Sequence, residues 1–279
     1  MCYNKNIIDK RGEKMDTVVL TIAGSDTWGG GGITTDIKTI EQAGSFAVNV
    51  ITCIAVESSD SSFEIVSLPA SLIKQQLQTI ANTYQLSAIK IGLLNDTITI
   101  AVVKEFIETQ NCPIVIDPVM AFKESSKEIK QIRLEMIDLM KSATVITPNL
   151  TEAKIIAEGG DIENQLMLAD EAKNIYSIVK TPVLITGGAR FPGEKAVDVL
   201  FDGERVHFFE LPKLDTLNIH GAGCALSSMI AAQLANNETL EHAIKNAKHF
   251  VYQGIYQGLS LPSGDGGNIW NRIGDKNEK

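Results

Sequence analysis

Positive charge is in short supply in this chain. The 25 Lys and Arg against 34 Asp and Glu leave a formal net charge of −9, which argues against nucleic acid or an anionic membrane as the main partner. A phosphate-rich ligand would have to be held by backbone amides and a metal rather than by a basic surface. Cysteine is scarce as well: Cys2, Cys53, Cys112 and Cys224 show no paired spacing. Neither a zinc site nor a disulfide framework is indicated, and a reducing cytoplasm is the expected compartment. No apolar run is long enough to span a bilayer. Met1 to Lys14 lack the apolar core of a signal peptide and read as an N-terminal tail ahead of Met15. Repeats, low-complexity tracts and a dividing linker are also missing. The 279 residues would suit one large α/β domain or two small ones; without a linker, residues 15–279 are expected to form one.

Two nucleotide fingerprints are absent too. Thr27-Trp28-Gly29-Gly30-Gly31-Gly32 is glycine-rich, but residues 34 and 35 are threonines, so Gly-x-Gly-x-x-Gly is not met. No Lys-Ser/Thr pair follows, as a phosphate loop requires. Nicotinamide dehydrogenases and P-loop enzymes are therefore disfavoured.

What the chain does have is a regular alternation. Short apolar, β-branched runs at Thr17–Ala23, Phe46–Val56, Ala88–Ile91, Pro113–Ile116, Ala143–Thr147 and Pro182–Ile185 read as strands. Helical spacing follows Ile33 up to a stop at Gly44, then Leu72–Ile80, Ile98–Glu108, Gln165–Val179 and Leu240–Tyr256. Phe63–Leu68 reads as a short β-arm, and Val197–Phe201 and Val206–Phe209 as a hairpin turning at Asp202-Gly203. Strands alternating with helices throughout predict an α/β fold, a three-layer α-β-α sandwich with a mostly parallel central sheet.

The most informative stretch is Asn218–Ala235, a glycine-rich turn feeding straight into a helix. Leu226, Met229, Ile230 and Leu234 recur at helical spacing and predict one apolar face. Free N–H groups at such a helix start, with the positive end of its dipole, make a site for phosphate or for a phosphoryl group in transfer. Gly221 and Gly223 remove the side chains that would keep an anion away. Cys224, in the first turn, is expected to have its thiol pKa lowered toward that of a useful base or nucleophile. The alternative is a tight turn opening a core helix, with Cys224 a small buried apolar residue.

Other residues carry paired readings. Asp36 sits on a helix near its glycine-rich start and could simply face solvent. Glu57 ends a strand and could be a surface glutamate. Asp117 lies at the C-terminal end of a strand, where open parallel sheets bind ligands, or merely caps its loop. In Thr147-Pro148-Asn149-Leu150-Thr151-Glu152, Thr151 could cap a helix and Glu152 favour its dipole.

His220-Gly221-Ala222-Gly223-Cys224 resembles the anion-hole motif of the ribokinase-like vitamin kinases, in the branch of hydroxymethylpyrimidine (phosphate) kinases and bacterial pyridoxine/pyridoxal kinases. The likeness extends to Gly24-Ser25-Asp26 with its glycines and Asp36, to Lys90-Ile91-Gly92-Leu93-Leu94, to Asp117-Pro118-Val119-Met120 and to Thr147-Pro148-Asn149-x-x-Glu152. It implies a ribokinase-like fold, ATP and Mg2+ as cofactors, with a K+ requirement left open, and a homodimer helped by the β-arm. It further implies that Cys224 takes the acceptor's proton and that the amides of Gly221, Ala222 and Gly223 stabilise the phosphoryl group. By the same resemblance Gly24, Asp36, Glu57 and Val119 meet the substrate, and Asn149, Thr186, Gly188 and Gly223 the nucleotide. Asp117 and Glu152 serve the metal. Many relatives carry lysine where Thr186 stands, and the hairpin and last long helix border the adenine.

The activity so implied is ATP-dependent phosphorylation of the hydroxymethyl group of pyridoxine, pyridoxal or pyridoxamine. Its near alternative is phosphorylation of hydroxymethylpyrimidine or its monophosphate in thiamine synthesis; another is a vitamin-binding protein without turnover. Glu57 favours the first. The pyrimidine kinases carry glutamine there, whose amide both donates and accepts, whereas a carboxylate only accepts and suits the 3-hydroxyl of a pyridoxine ring.

Overall fold

The computed structural model describes residues 17–57, 63–120, 126–262, 264 and 266–271. The expected tail at residues 1–14 lies outside these. Nine strands form one sheet in the order β3-β2-β1-β4-β5-β6-β7-β8-β9: β1 Val18–Asp26, β2 Phe46–Glu57, β3 Phe63–Ser67, β4 Ala88–Ile91, β5 Ile114–Ile116, β6 Val145–Ile146, β7 Val183–Thr186, β8 Lys195–Phe201 and β9 Val206–Pro212. From β2 through β1 and β4 to β7 every pairing is parallel. β3 at one edge and the β8–β9 hairpin at the other are antiparallel.

Strand alternation explains where the helices go, because successive side chains face opposite layers. On one face Leu20, Ile22, Ile89, Ile91, Ile114, Ile116 and Ile185 pack under α2 (Ala70–Thr83), α3 (Thr97–Ile107), α4 (Ser126–Met140), α5 (Leu150–Ala157) and α6 (Gln165–Val179). On the other, Val19, Ala88, Val115, Val145 and Leu184 pack under α1 (Gly32–Gln42), α7 (Ala222–Ala235) and α8 (Leu240–Tyr256). The two cores and the shared sheet are the expected three layers. A two-stranded ribbon, β10 Leu259–Ser260 with β11 Gly267–Asn268, follows α8.

Two departures have clear physical causes. Helix α4 falls where the sequence reading assigned no element, although Ile132, Met136, Leu139 and Met140 recur at helical spacing and are all buried. Helix α7 does not present one apolar face. Every residue from Ala225 to Ala232 is buried, because the sheet, α1 and α8 enclose it and its alanines and serines let them come close.

The order of the sheet also predicts where ligands go. Strands β2 and β4 flank β1 on opposite sides, so the chain reverses its direction of winding there, and the crevice beyond the C-terminal strand ends is the binding edge of such sheets. The segments leaving β1, β4, β5, β6 and β7 at that edge contain Asp26, Gly92, Asp117, Asn149 and Gly187.

Candidate active site

Helix α7 begins at this edge. Its N-cap, Gly221, adopts φ +87°, and no side chain caps the helix. The N–H groups of Gly221, Gly223 and Cys224 have no hydrogen-bond partner among the described residues. The amide of Ala222 is different: it donates to the Ile219 carbonyl at 3.1 Å, so the role expected of Ala222 as a free donor is corrected, and Cys224 supplies the further open N–H. A Cβ added at Gly221 would fall on the Gly30 carbonyl oxygen. Gly221→Ala is therefore expected to destabilise the fold by about 1–3 kcal/mol, read as a lower urea midpoint, and to push the glycine loop away from the turn.

That loop, residues 27–31, is folded around the Asp26 carboxylate, which accepts the N–H groups of Trp28 (2.9 Å), Gly30 (3.2 Å) and Gly31 (2.8 Å). His220 Nε2 lies 2.9 Å from the same carboxylate and ties the loop to the α7 turn. Burial works against the Asp26 charge, yet these bonds, His220 foremost, hold its pKa below the ordinary value. Gly24 closes the loop from below: a Cβ there would meet Cys53 Sγ at 2.6 Å.

Asp36 is not a solvent-facing helix residue. It is fully buried, and both carboxylate oxygens are saturated by Lys90 Nζ at 2.8 and 3.0 Å, Thr21 Oγ1 at 2.6 Å and Ser228 Oγ at 2.8 Å. The substrate-binding role expected of it is thus met by a carboxylate already engaged on all sides. Lys90, on the α7 side of β4, is itself fully buried. Burial disfavours its ammonium, but Asp36 more than offsets this, with Cys224 and Asp117 adding to the effect, and its pKa lies above the usual lysine value.

The expected low thiol pKa of Cys224 is overturned. Burial pushes it up to about 12, with Lys90 drawing it down, Asp36 and Asp117 raising it further, and the Gly32 N–H donated to the sulfur lowering it. Two nearby carboxylates and dense protein outweigh the helix dipole.

Asp117 leaves β5 beneath the same turn and is buried. Ser227 Oγ lies 3.3 Å from its Oδ2, and a Cβ at Gly223 would sit 3.8 Å from that oxygen. Burial raises its pKa, Lys90 lowers it and Asp36 raises it. Burial likewise pushes the Glu152 carboxyl up to about 8; Asp117 adds to the rise, while the N–H groups of Asn149 and Met120 and the charge of Arg190 pull it back. Asn149, not Thr151, caps α5: its side chain accepts from the N–H of Thr151 and Glu152, and Glu152 returns a bond to the Asn149 N–H at 2.9 Å. Val119 is half-buried, its N–H donating to the Asp117 carbonyl at 2.8 Å. The Glu57 side chain lies outside the described residues.

Beside the α7 turn opens a cavity of about 260 Å3, walled by the β8–β9 hairpin and α8. It brings together Asn149, Thr186, Gly188 and Gly223, the residues assigned to the nucleotide. Its apolar walls include Leu211, Leu226, Val251 and Tyr252, and Lys248 lies in it 2.6 Å from Asp198. Sequence reasoning gave no role to Lys90, Asp198 or Lys248. For Lys90 the signal was present, since a lysine inside Ala-Ile-Lys-Ile needs a buried partner.

A parallel sheet whose ligand edge carries an uncapped, glycine-opened helix start beside such a cavity is the arrangement of a ribokinase-like small-molecule kinase. The family model described as phosphomethylpyrimidine kinase matches residues 26–268, and the chain belongs to that family. It is 35% identical over 248 residues to the pyridoxine kinase of Bacillus subtilis, covering 87% of this chain and 91% of that one. It is 33% identical over 250 residues to the hydroxymethylpyrimidine/phosphomethylpyrimidine kinase of Aquifex aeolicus, covering 88% and 97%. The pyridoxal kinase of Staphylococcus aureus, solved with AMP-PCP and pyridoxal, superposes with a TM-score of 0.86 at 30% identity, covering 93% of this chain and 96% of that one. Among the described residues no helix is long and apolar enough to cross a membrane.

Proposed function

We propose that this chain transfers the terminal phosphoryl group of ATP to the hydroxymethyl group of a B6 vitamer. One observation carries the reading: the amides of Gly221, Gly223 and Cys224 are open at the start of α7, where Gly223 both lines the cavity and approaches the Asp117 carboxylate. The apolar walls take the nucleoside, and its phosphates run to the start of α7. As the acceptor oxygen bonds to phosphorus and the bond to ADP breaks, charge on the moving group is met by those amides. Positioning and charge stabilisation of this kind carry most of phosphoryl-transfer catalysis. The proton of the acceptor hydroxyl passes to Cys224 in the fraction of molecules whose thiol, pushed up to about 12, has first lost its own proton to solvent.

Asp117 and Glu152 would hold Mg2+. Both are buried, the Asp117 charge raises the pKa of Glu152, and no lysine or arginine lies within ion-pair distance of either among the described residues. The Thr147 hydroxyl, also buried on the loop before Asn149, has no partner there. Two carboxylates without a full protein cage suit a cation that keeps its water and shares phosphate oxygens. When bound, it supplies neutralisation of phosphate charge.

A coupled ADP-release assay offering pyridoxal, pyridoxine and hydroxymethylpyrimidine with MgATP tests the reading. Turnover of a B6 vitamer in preference to the pyrimidine is expected. Preference for the pyrimidine would favour the thiamine-synthesis reading, to which the family description and the Aquifex relative point, and no ADP with any of them would leave a binding protein. Glu57→Gln is expected to shift the ratio of kcat/KM toward the pyrimidine by about tenfold; an unchanged ratio would remove Glu57 from the choice of substrate.

A further inference from the structure

We propose that Arg190 binds the nucleotide's phosphates, as the one uncommitted cation among the described residues lining the cavity. The inference rests on the kinase reading above and assigns a role within it.

Three cationic side chains line the cavity: Arg190, Lys213 and Lys248. Two are already in use. Lys248 is paired with Asp198 at 2.6 Å, both side chains nearly buried, and the other Asp198 oxygen accepts the Gly188 N–H at 3.3 Å, so this pair braces α8 against the turn after β7. Lys213 donates to the Phe191 carbonyl. To reach a ligand, either would have to abandon its partner. Arg190 is exposed; its backbone N–H donates to the Gly187 carbonyl at 3.2 Å, but its guanidinium makes no hydrogen bond or ion pair among the described residues.

Its place is also right. Arg190 ends the short 3-10 turn Gly188–Arg190 that follows β7, on the same sheet edge as Asn149, which bridges to Thr186. Thr186 itself brings no charge, and its hydroxyl is turned to the Pro148 carbonyl at 3.5 Å. Arg190 lines the cavity together with Asn149 and Gly223, and the field of its guanidinium reaches the Glu152 carboxylate, which puts it near the path a polyphosphate would follow. That path needs a cation. The chain carries a net charge of −9, Asp117 and Glu152 repel an anion, and the amides of α7 supply only partial charge. A guanidinium offers a planar fork of donors that matches phosphate oxygens.

The test compares Arg190→Gln with the native chain for affinity to ATP and to adenosine by calorimetry. The variant should bind ATP about tenfold more weakly, the loss of one charge-assisted contact, while adenosine changes by less than about twofold. Arg190→Lys, which keeps the charge and loses the fork, should fall between the two. Because the side chain is exposed, the melting temperature should not move. Unchanged ATP affinity in Arg190→Gln would overturn the proposal. So would an equal loss for ATP and adenosine, which would make Arg190 a base-stacking residue, and so would a native chain that binds no ATP. A native chain that binds ATP but phosphorylates no vitamer would defeat the kinase reading and leave the Arg190 comparison standing.

Discussion

Replacing Cys224 by alanine is expected to lower kcat by about 10²–10⁴-fold, the usual contribution of a positioned proton acceptor, while ATP affinity stays within about twofold because the helix amides remain. The structure adds a pH signature that the sequence did not foresee. With the thiol pushed up to about 12, the unliganded protein keeps its proton at neutral pH. The thiolate fraction grows about tenfold per pH unit below that value. The limb of kcat/KM that reports the free enzyme should therefore climb with pH, and the climb should vanish in the alanine variant. A profile equally steep in both proteins would take Cys224 out of proton transfer. Equal kcat would take it out of the mechanism altogether.

Lys90→Met is expected to cost about 3–5 kcal/mol, because it strands the Asp36 carboxylate in the interior. Thr21 and Ser228 still donate to that carboxylate, but hydroxyls do not neutralise it. Adding Asp36→Leu should recover most of the loss, since replacing both members of a buried pair by apolar groups is often near neutral. Urea midpoints for the two single variants and the double variant measure this as a coupling energy. A single Lys90→Met variant as stable as the native chain would mean that the pair carries no net weight. The double variant has a second use: full activity in it would exclude any contact between Asp36 and substrate.

Much of the architecture was readable from pattern alone. Gln165–Val179 and Leu240–Tyr256 emerge as helices with the expected bounds, as does the strand Ala88–Ile91, because their apolar spacing is regular and caps or turns bound them. The site was legible in outline, since glycines at 221 and 223 announce an open helix start whatever surrounds it. Local sequence could not supply the electrostatics. The thiol of Cys224 is set by burial and then by Lys90 and Asp36, which come from β4 and α1 and meet it only when the sheet is assembled. The helix dipole was the visible influence, and burial was the larger one. Ala222 failed as a donor for a similar reason, its amide being taken by a turn that only the folded backbone defines.

Helix α7, enclosed by neighbours along Ala225–Ala232, has nowhere to go. Its first-turn amides cannot swing toward a ligand, so their aim is built in before any nucleotide arrives and little ordering entropy is lost on binding. Whatever opens and shuts around the reactants must belong to other segments, and amide exchange should find the body of this helix among the slowest parts of the molecule.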